Sequence, residues 1–184
     1  MLRAWIATVA MLMCLVASIS IAAQQPPRRA VQHPRLFAPE DNNLGFENAA
    51  PPSDVVLDAL LGTQEAKDAS DDLEILDRES ERKLFATVRI NLRSAKEEDY
   101  IALGDGPLSG ADHHWFWIVR ASQGKAEVLL FTGGLAVEIL PRRTNGYHDV
   151  KESWGGNSGF GSRLYQYTGT TYKLAKERWQ DAKP

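Results

Sequence analysis

The sequence predicts a mainly β protein of the α+β type: two four-stranded antiparallel, blade-like repeats packed as a small sandwich, preceded by one or two short helices. Three observations carry that expectation. From Leu84 onward apolar residues recur with period two, as in half-buried strands. Turns rich in Gly, Ser, Asn and Thr cut the same region into eight segments. Residues 88–103 can also be laid on 137–153, so the pattern occurs twice.

In chain order, residues 1–23 read as a secretory signal peptide. Arg3 supplies the positive start, residues 4–23 carry no charge, and Ser20, Ala22 and Ala23 precede the polar Gln24. An uncharged run of about 20 residues also suffices to span a bilayer, so membrane attachment through an uncleaved segment 4–23 is the alternative. The expected location is secreted or periplasmic. Cys14 is the only cysteine of the 184 residues. A mature chain would then have no disulfide and no thiol for catalysis, zinc or iron–sulfur chemistry, and its core must hold it together. Losing the one charge of Arg3 takes the net charge from −3 to −4. No long basic run remains, which argues against nucleic acid as a partner.

Residues 24–53 carry prolines at 26, 27, 34, 39, 51 and 52 and no clear apolar period, so a disordered linker or tether is expected. Residues 54–83 follow as an acidic helical region. Ser53 or Asp54 can cap DVVLDALL, which stops at Gly62. Ser70 can cap a second helix, DDLEILDRESERK, with its acids early and Arg78, Arg82 and Lys83 late, as the helix dipole favours. Ten acids against four bases give residues 54–83 a charge of −6. A solvated face is expected of it; a docking surface for a basic partner is the alternative.

The β domain is expected over 84–184, with strands at 84–92, 99–104, 114–120, 125–131, 135–140, 147–154, 162–168 and 171–176. Its two repeats cover 88–131 and 137–176. Val88 then faces Val137, Ile90 faces Ile139, Asp99 faces Asp149 and Trp117 faces Tyr165. Two blades cannot close a propeller, which is why a sandwich is expected. The helical region can cover an open sheet edge, because unpaired edges invite aggregation.

These units resemble FG-GAP/VCBS repeats, in which a strand enters an aspartate-rich calcium loop and leaves into the next strand. The likeness covers residues 88–103 and, more loosely, 137–154. Calcium takes six to eight oxygens, and the loops do not supply them. The alternate positions before Asp99 are Asn91, Arg93, Ala95 and Glu97; those before Asp149 are Pro141, Arg143, Asn145 and Tyr147. Neither a metal nor a cofactor is therefore expected, and the two aspartates are read as acceptors for turn amides. The turn Asn145-Gly146-Tyr147-His148-Asp149 and the later Leu164-Tyr165-Gln166-Tyr167-Thr168-Gly169 are also similar to exported bacterial proteins that end in such a turn and a Tyr-rich hairpin. That likeness implies an exported location and brings no activity with it.

His113 and His114 look like a site, but neighbouring residues of a strand point to opposite faces, so one metal cannot take both without a bulge. Either could instead meet His148 and Asp149 across the sheet. Within 114–120, Trp115, Trp117 and Val119 share one face and His114, Phe116, Ile118 and Arg120 the other. Apolar residues on both faces fit a central strand covered twice; a carbohydrate platform is the alternative. WGGNSGFGS (154–162) has neither the spacing nor the lysine of a phosphate-binding loop and reads as a mobile loop.

No catalytic constellation emerges. The expectation is a non-catalytic exported binding or envelope-associated protein that recognises a protein or a glycan through loops 104–112, 144–148 and 154–162. Its candidate ligand-binding surface comprises His113, Tyr147, His148, Asp149 and Trp154. The competing reading is a small extracytoplasmic hydrolase using His113 or His148 with Asp112 or Asp149.

Overall fold

Apolar alternation can be satisfied only if each strand face finds a cover, and here both faces of the central strand do. The structure, a computed structural model, describes residues 36–72, 77–94, 97–109 and 113–182. The expected signal segment, residues 24–35 and Asp112 lie outside the described residues. The chain runs β1 (Leu36–Phe37), α1 (Asp54–Leu61), α2 (Gln64–Asp72), α3 (Arg78–Arg82), β2 (Phe85–Ile90), β3 (Glu98–Gly104), β4 (His114–Ser122), β5 (Lys125–Gly134), β6 (Ala136–Thr144), β7 (Tyr147–Gly156), β8 (Gly159–Tyr167) and β9 (Tyr172–Asp181). Two antiparallel sheets result, ordered β2-β3-β4-β5 and β1-β6-β7-β8-β9. Each of the expected four-strand units is one meander.

The sheets pack face to face. Ile90, Ile101, Phe116 and Ile118 of one meet Val137, Ile139, Val150 and Tyr172 of the other. The opposite face of the four-stranded sheet carries Phe85, Trp117 and Val119, and helices α1 and α2 cover it with Val56, Leu57, Leu60 and Ala66. Strand β4 is thus buried on both sides, and Trp117 is 0% exposed. Removing a side chain of that size from water stabilises by about 1.5–3 kcal/mol. Its indole N–H donates to Thr63 Oγ1 at 3.2 Å, and the Thr63 hydroxyl donates to the Leu60 carbonyl at 2.6 Å. The Trp-Phe-Trp block is therefore core rather than platform.

Three differences from the sequence expectation have physical causes. Residues 36–53 are part of the fold: β1 pairs with the edge of β6, and Phe37 and Phe46 pack edge to face in the sandwich core with ring centroids 5.5 Å apart. Bulk rather than periodicity anchors them. Helix α2 begins at Gln64, so Ser70 falls inside it instead of capping the next one. Gln64, Ala66 and Lys67 are strong helix formers. The cap of α3 is Asp77, whose carboxylate accepts the Ser80 N–H at 2.9 Å. Finally, 154–162 is an extended hairpin closed by Asn157 and Ser158.

The two meanders place their aspartates alike. Asp99 faces Arg120 in one register and Asp149 faces Gln166 in the other, and both carboxylates are buried. Asp99 accepts the Leu92 N–H at 3.0 Å, as turn aspartates do. Asp149 is held instead by side chains, Gln166 Nε2 and Arg142 Nε, each at 3.1 Å.

Candidate functional site

A meander sends successive connections to alternate ends of the sheet, and that geometry divides the five expected surface residues. Tyr147, His148 and Asp149 follow the turn at Asn145–Gly146. That turn lies beside the Arg120 end of β4, since Arg120 Nη1 donates to Tyr147 Oη at 2.7 Å. His113 precedes the other end of β4. Its neighbour His114 pairs in register with Gly134, and six residues of extended chain, about 20 Å, separate His114 from Arg120. Trp154 lies with β5's terminus at that second end, where Leu135 N–H donates to Ser153 O at 2.8 Å. His113 and His148 therefore do not converge.

At the first end the side chains serve structure. The Tyr147 ring is buried and stacks on Tyr167 with centroids 3.9 Å apart. Arg93 and Arg120 approach the Tyr147 ring to 6.0 and 5.9 Å, at the wall of a cleft of about 480 Å³. Each is neutralised locally, Arg93 by Glu97 at 3.2 Å and Arg120 by Glu127 at 2.7 Å. His148 Nε2 faces Arg143 Nη2 at 2.9 Å, and Nδ1 faces the Leu140 carbonyl. Arginine can only donate. Nε2 must accept, so Nδ1 carries the proton and donates to Leu140. Both ring nitrogens are committed to backbone and arginine partners, which leaves this imidazole no free lone pair for a base. Burial foremost, then the nearby Asp99 and Asp149 carboxylates, holds the Tyr172 phenol protonated far above its ordinary range.

The second end is where side chains emerge from cover. Registers β7–β8 and β8–β9 align two rows across three strands: Trp154–Gly161–Trp179, and below it Glu152–Arg163–Glu177. Residues two strands apart are normally about 9–10 Å apart. Gly161 and Gly159 have no side chains, so the Trp154 indole lies over the first and the Trp179 ring reaches the second, and the ring centroids approach to 6.4 Å with planes 32° apart. Arg163 lies under Trp154 with its guanidinium carbon 4.3 Å from the ring centre. Trp179 Nε1 donates to Asp181 Oδ1 at 2.8 Å, which orients the ring. Trp154 is half-buried and Trp179 is 48% exposed. On the other face of this tip Phe160, 64% exposed, lies over Gly155. Gly155, Gly159 and Gly161 of WGGNSGFGS are seats for aromatic rings.

Comparisons with family models, curated proteins and solved structures found no match.

Beneath the indoles sits Glu152, 0% exposed. One oxygen accepts from Thr132 Oγ1 at 3.3 Å and lies 3.6 Å from Arg163 Nη1; the other has no hydrogen-bond partner among the described residues. Burial pushes this carboxyl up to about 7, against the opposing pull of Arg163. Gly134 passes so close to it that any side chain there would strike the carboxylate. Among the described residues, no three His, Cys, Asp or Glu side chains group as metal ligands would.

Trp179 was not among the expected surface residues. Its signal was an aromatic in a run of charged residues, KERWQD, where an apolar side chain has no neighbour to share a core with.

Proposed function

We propose that this chain is an exported, non-catalytic binding module that recognises a glycan through the Trp154–Trp179 tip. The observation that carries the reading is the Trp–Gly–Trp row: two indoles held on strands, fixed by Arg163 and Asp181, and left partly open to solvent. Burying that area would be favourable, and none of the described residues does so. Indole faces stack on the C–H faces of sugar rings, and the Arg163 guanidinium beneath Trp154 lies on the same face of the sheet. Rigid strands hold the rings with little ordering left to lose on binding. The N-terminal segment supports an exported, envelope-side location for such a module. A hydrolase finds no support in His148, whose nitrogens are occupied.

The test is retention of the full chain on a panel of immobilised polysaccharides, with tryptophan fluorescence as a second readout. Trp179→Ala is expected to abolish retention while changing stability by less than about 0.5 kcal/mol, as surface substitutions do. Unchanged retention by that variant would falsify the reading.

A further inference from the structure

The five-stranded sheet turns one face to the sandwich core and the other to solvent. Among the described residues no helix or strand lies over the second face, since α1 and α2 cover the four-stranded sheet. Strand alternation decides what it presents. Val150, Arg163 and Trp179 lie on the core side with the rest of the indole tip, and the positions between them point the other way. The rows on the solvent side are Lys151–Leu164–Lys176, Ser153–Ser162–Arg178 and Gly155–Phe160–Gln180, and Lys173 pairs with Gln166. Arg142 joins from β6, where its Nε lies 3.1 Å from Asp149 Oδ2.

Cations outweigh acids on this face. Glu138 lies 3.8 Å from Lys151, and Asp149 is held by Arg142 and Gln166. Lys173, Lys176 and Arg178 have no acidic partner among the described residues. They spread over about 15 Å of β9, and Lys151 lies about 10 Å from Lys176 across two strand spacings. A groove of about 300 Å³ runs over Leu140 and Leu164 and is walled by Arg142, Lys151, Lys176 and Arg178. At the hairpin end of the same face Phe160 projects, 64% exposed. Helices α1 and α2, from the segment 54–83 that carries −6, lie on the far side of the four-stranded sheet. Cations on one side and acids on the other orient a molecule against a negative plane. Lysines on an edge strand also discourage pairing with another sheet. That role accounts for Lys173 and Lys176. It does not account for Lys151 on the interior strand β7 or for Phe160 on the same face.

We infer that this face docks on an anionic phospholipid bilayer, with lipid phosphates among Arg142, Lys151, Lys176 and Arg178 and the Phe160 ring in the headgroup boundary. Each cation near such a surface adds an attraction that fades within a Debye length. An aromatic ring at that depth removes apolar area from water. Arg178 can grip a phosphate with two parallel bonds, whereas Lys176 acts as a point charge. Only residues 24–35 separate the uncharged segment 4–23 from β1, an edge strand of this same sheet. A stretch of that length spans at most about 40 Å, so a bilayer holding the segment is within reach of the sheet. The inference does not depend on the glycan reading. The indole tip lies on the sheet's other face and stays free for its own ligand.

The experiment mixes the full chain with vesicles of pure phosphatidylcholine or of an equal mixture with phosphatidylglycerol, and maps lysine acetylation by mass spectrometry. Anionic vesicles should slow acetylation of Lys151, Lys173 and Lys176 about fivefold or more and leave Lys67, Lys83 and Lys125 within about twofold. Neutral vesicles should protect none of the six. The map reads the face itself, so it decides the matter even where segment 4–23 alone carries the chain onto both kinds of vesicle. Raising salt from about 0.05 to about 0.5 M should remove the protection. Lys176→Gln/Arg178→Gln should weaken protection of Lys151 about fivefold or more, and Phe160→Ser about threefold or more. Both variants change exposed side chains, and an unaltered circular dichroism spectrum checks the fold. Equal protection by neutral and anionic vesicles, or no protection by either, overturns the inference. So does protection that both variants leave intact, or protection by dextran sulfate and not by anionic vesicles. Each of those results leaves the glycan reading standing, because that reading is tested at Trp179.

Discussion

At the scale of single residues, the most consequential group is the Glu152 carboxyl. Its folded value of about 7 stands above the ordinary 4.5 because burial penalises the charged form. Between those two pH values the folded protein holds a proton that the unfolded chain has released. Stability must therefore fall as pH rises through that window. The loss is on the order of 3 kcal/mol once the carboxyl is fully ionised. Asp99, pushed up to about 6 by burial, adds a slope of the same sign. Glu152→Gln keeps the shape and the contact with Thr132 but has no proton to lose. Thermal melts from pH 5 to 8 should show a wild-type midpoint that drops and a variant midpoint that drops less. Parallel curves would show that Glu152 is not the titrating group.

At the scale of elements, the β7–β8 hairpin is organised by what its glycines leave empty. A Cβ on Gly161 would run into the Trp154 ring, whereas one on Gly156 would meet nothing within 4 Å. Gly161→Val should cost about 1–3 kcal/mol through overpacking and red-shift the tryptophan emission. Gly156→Ala should stay within about 0.5 kcal/mol. Urea midpoints measure both, and equal midpoints would contradict the seating of Trp154 over Gly161. Elements were legible in the sequence wherever one face was apolar: all eight strands from Phe85 to Asp181 were visible in alternation and turn chemistry. Helix α2 was missed because its residues are nearly all polar and few of its described side chains are buried, Ala66 being one. The far half of β9 was missed for a related reason. Residues 173–181 are all exposed, so no pattern of burial could leave a periodic trace. Trp179 went unnoticed with it. The five expected surface residues were chosen by residue type, and only the meander's alternation of ends separates Tyr147 from Trp154.

At the scale of the whole described fold, charge is layered. The helical segment 54–83 carries −6, and ion pairs such as Arg82–Asp54 at 2.7 Å answer only part of it. The basic sheet face lies on the far side of the four-stranded sheet. The segment that joins this architecture from the N-terminal side is β1 with its following turns. A chain lacking residues 1–35 keeps β1 and serves as the reference for the guanidinium midpoint. A chain lacking residues 1–49 loses Phe37 and Phe46 from the core and should be less stable by about 3 kcal/mol or more, on the scale of buried phenylalanine truncations. Equal midpoints for the two truncations would mean that residues 36–49 contribute nothing to the core.

Strand β1 has one more effect. It occupies the β6 edge of the five-stranded sheet, while β9 ends the strand order on the other side. In the language of polymerisation, a sheet open at both edges is a bifunctional monomer, and each addition leaves a new growing end. With Val137 and Glu138 of β6 already paired to β1, the full-length strand left to take an addition is β9. A second copy that pairs at β9 brings its own β9 to the joint, and the reaction terminates at two.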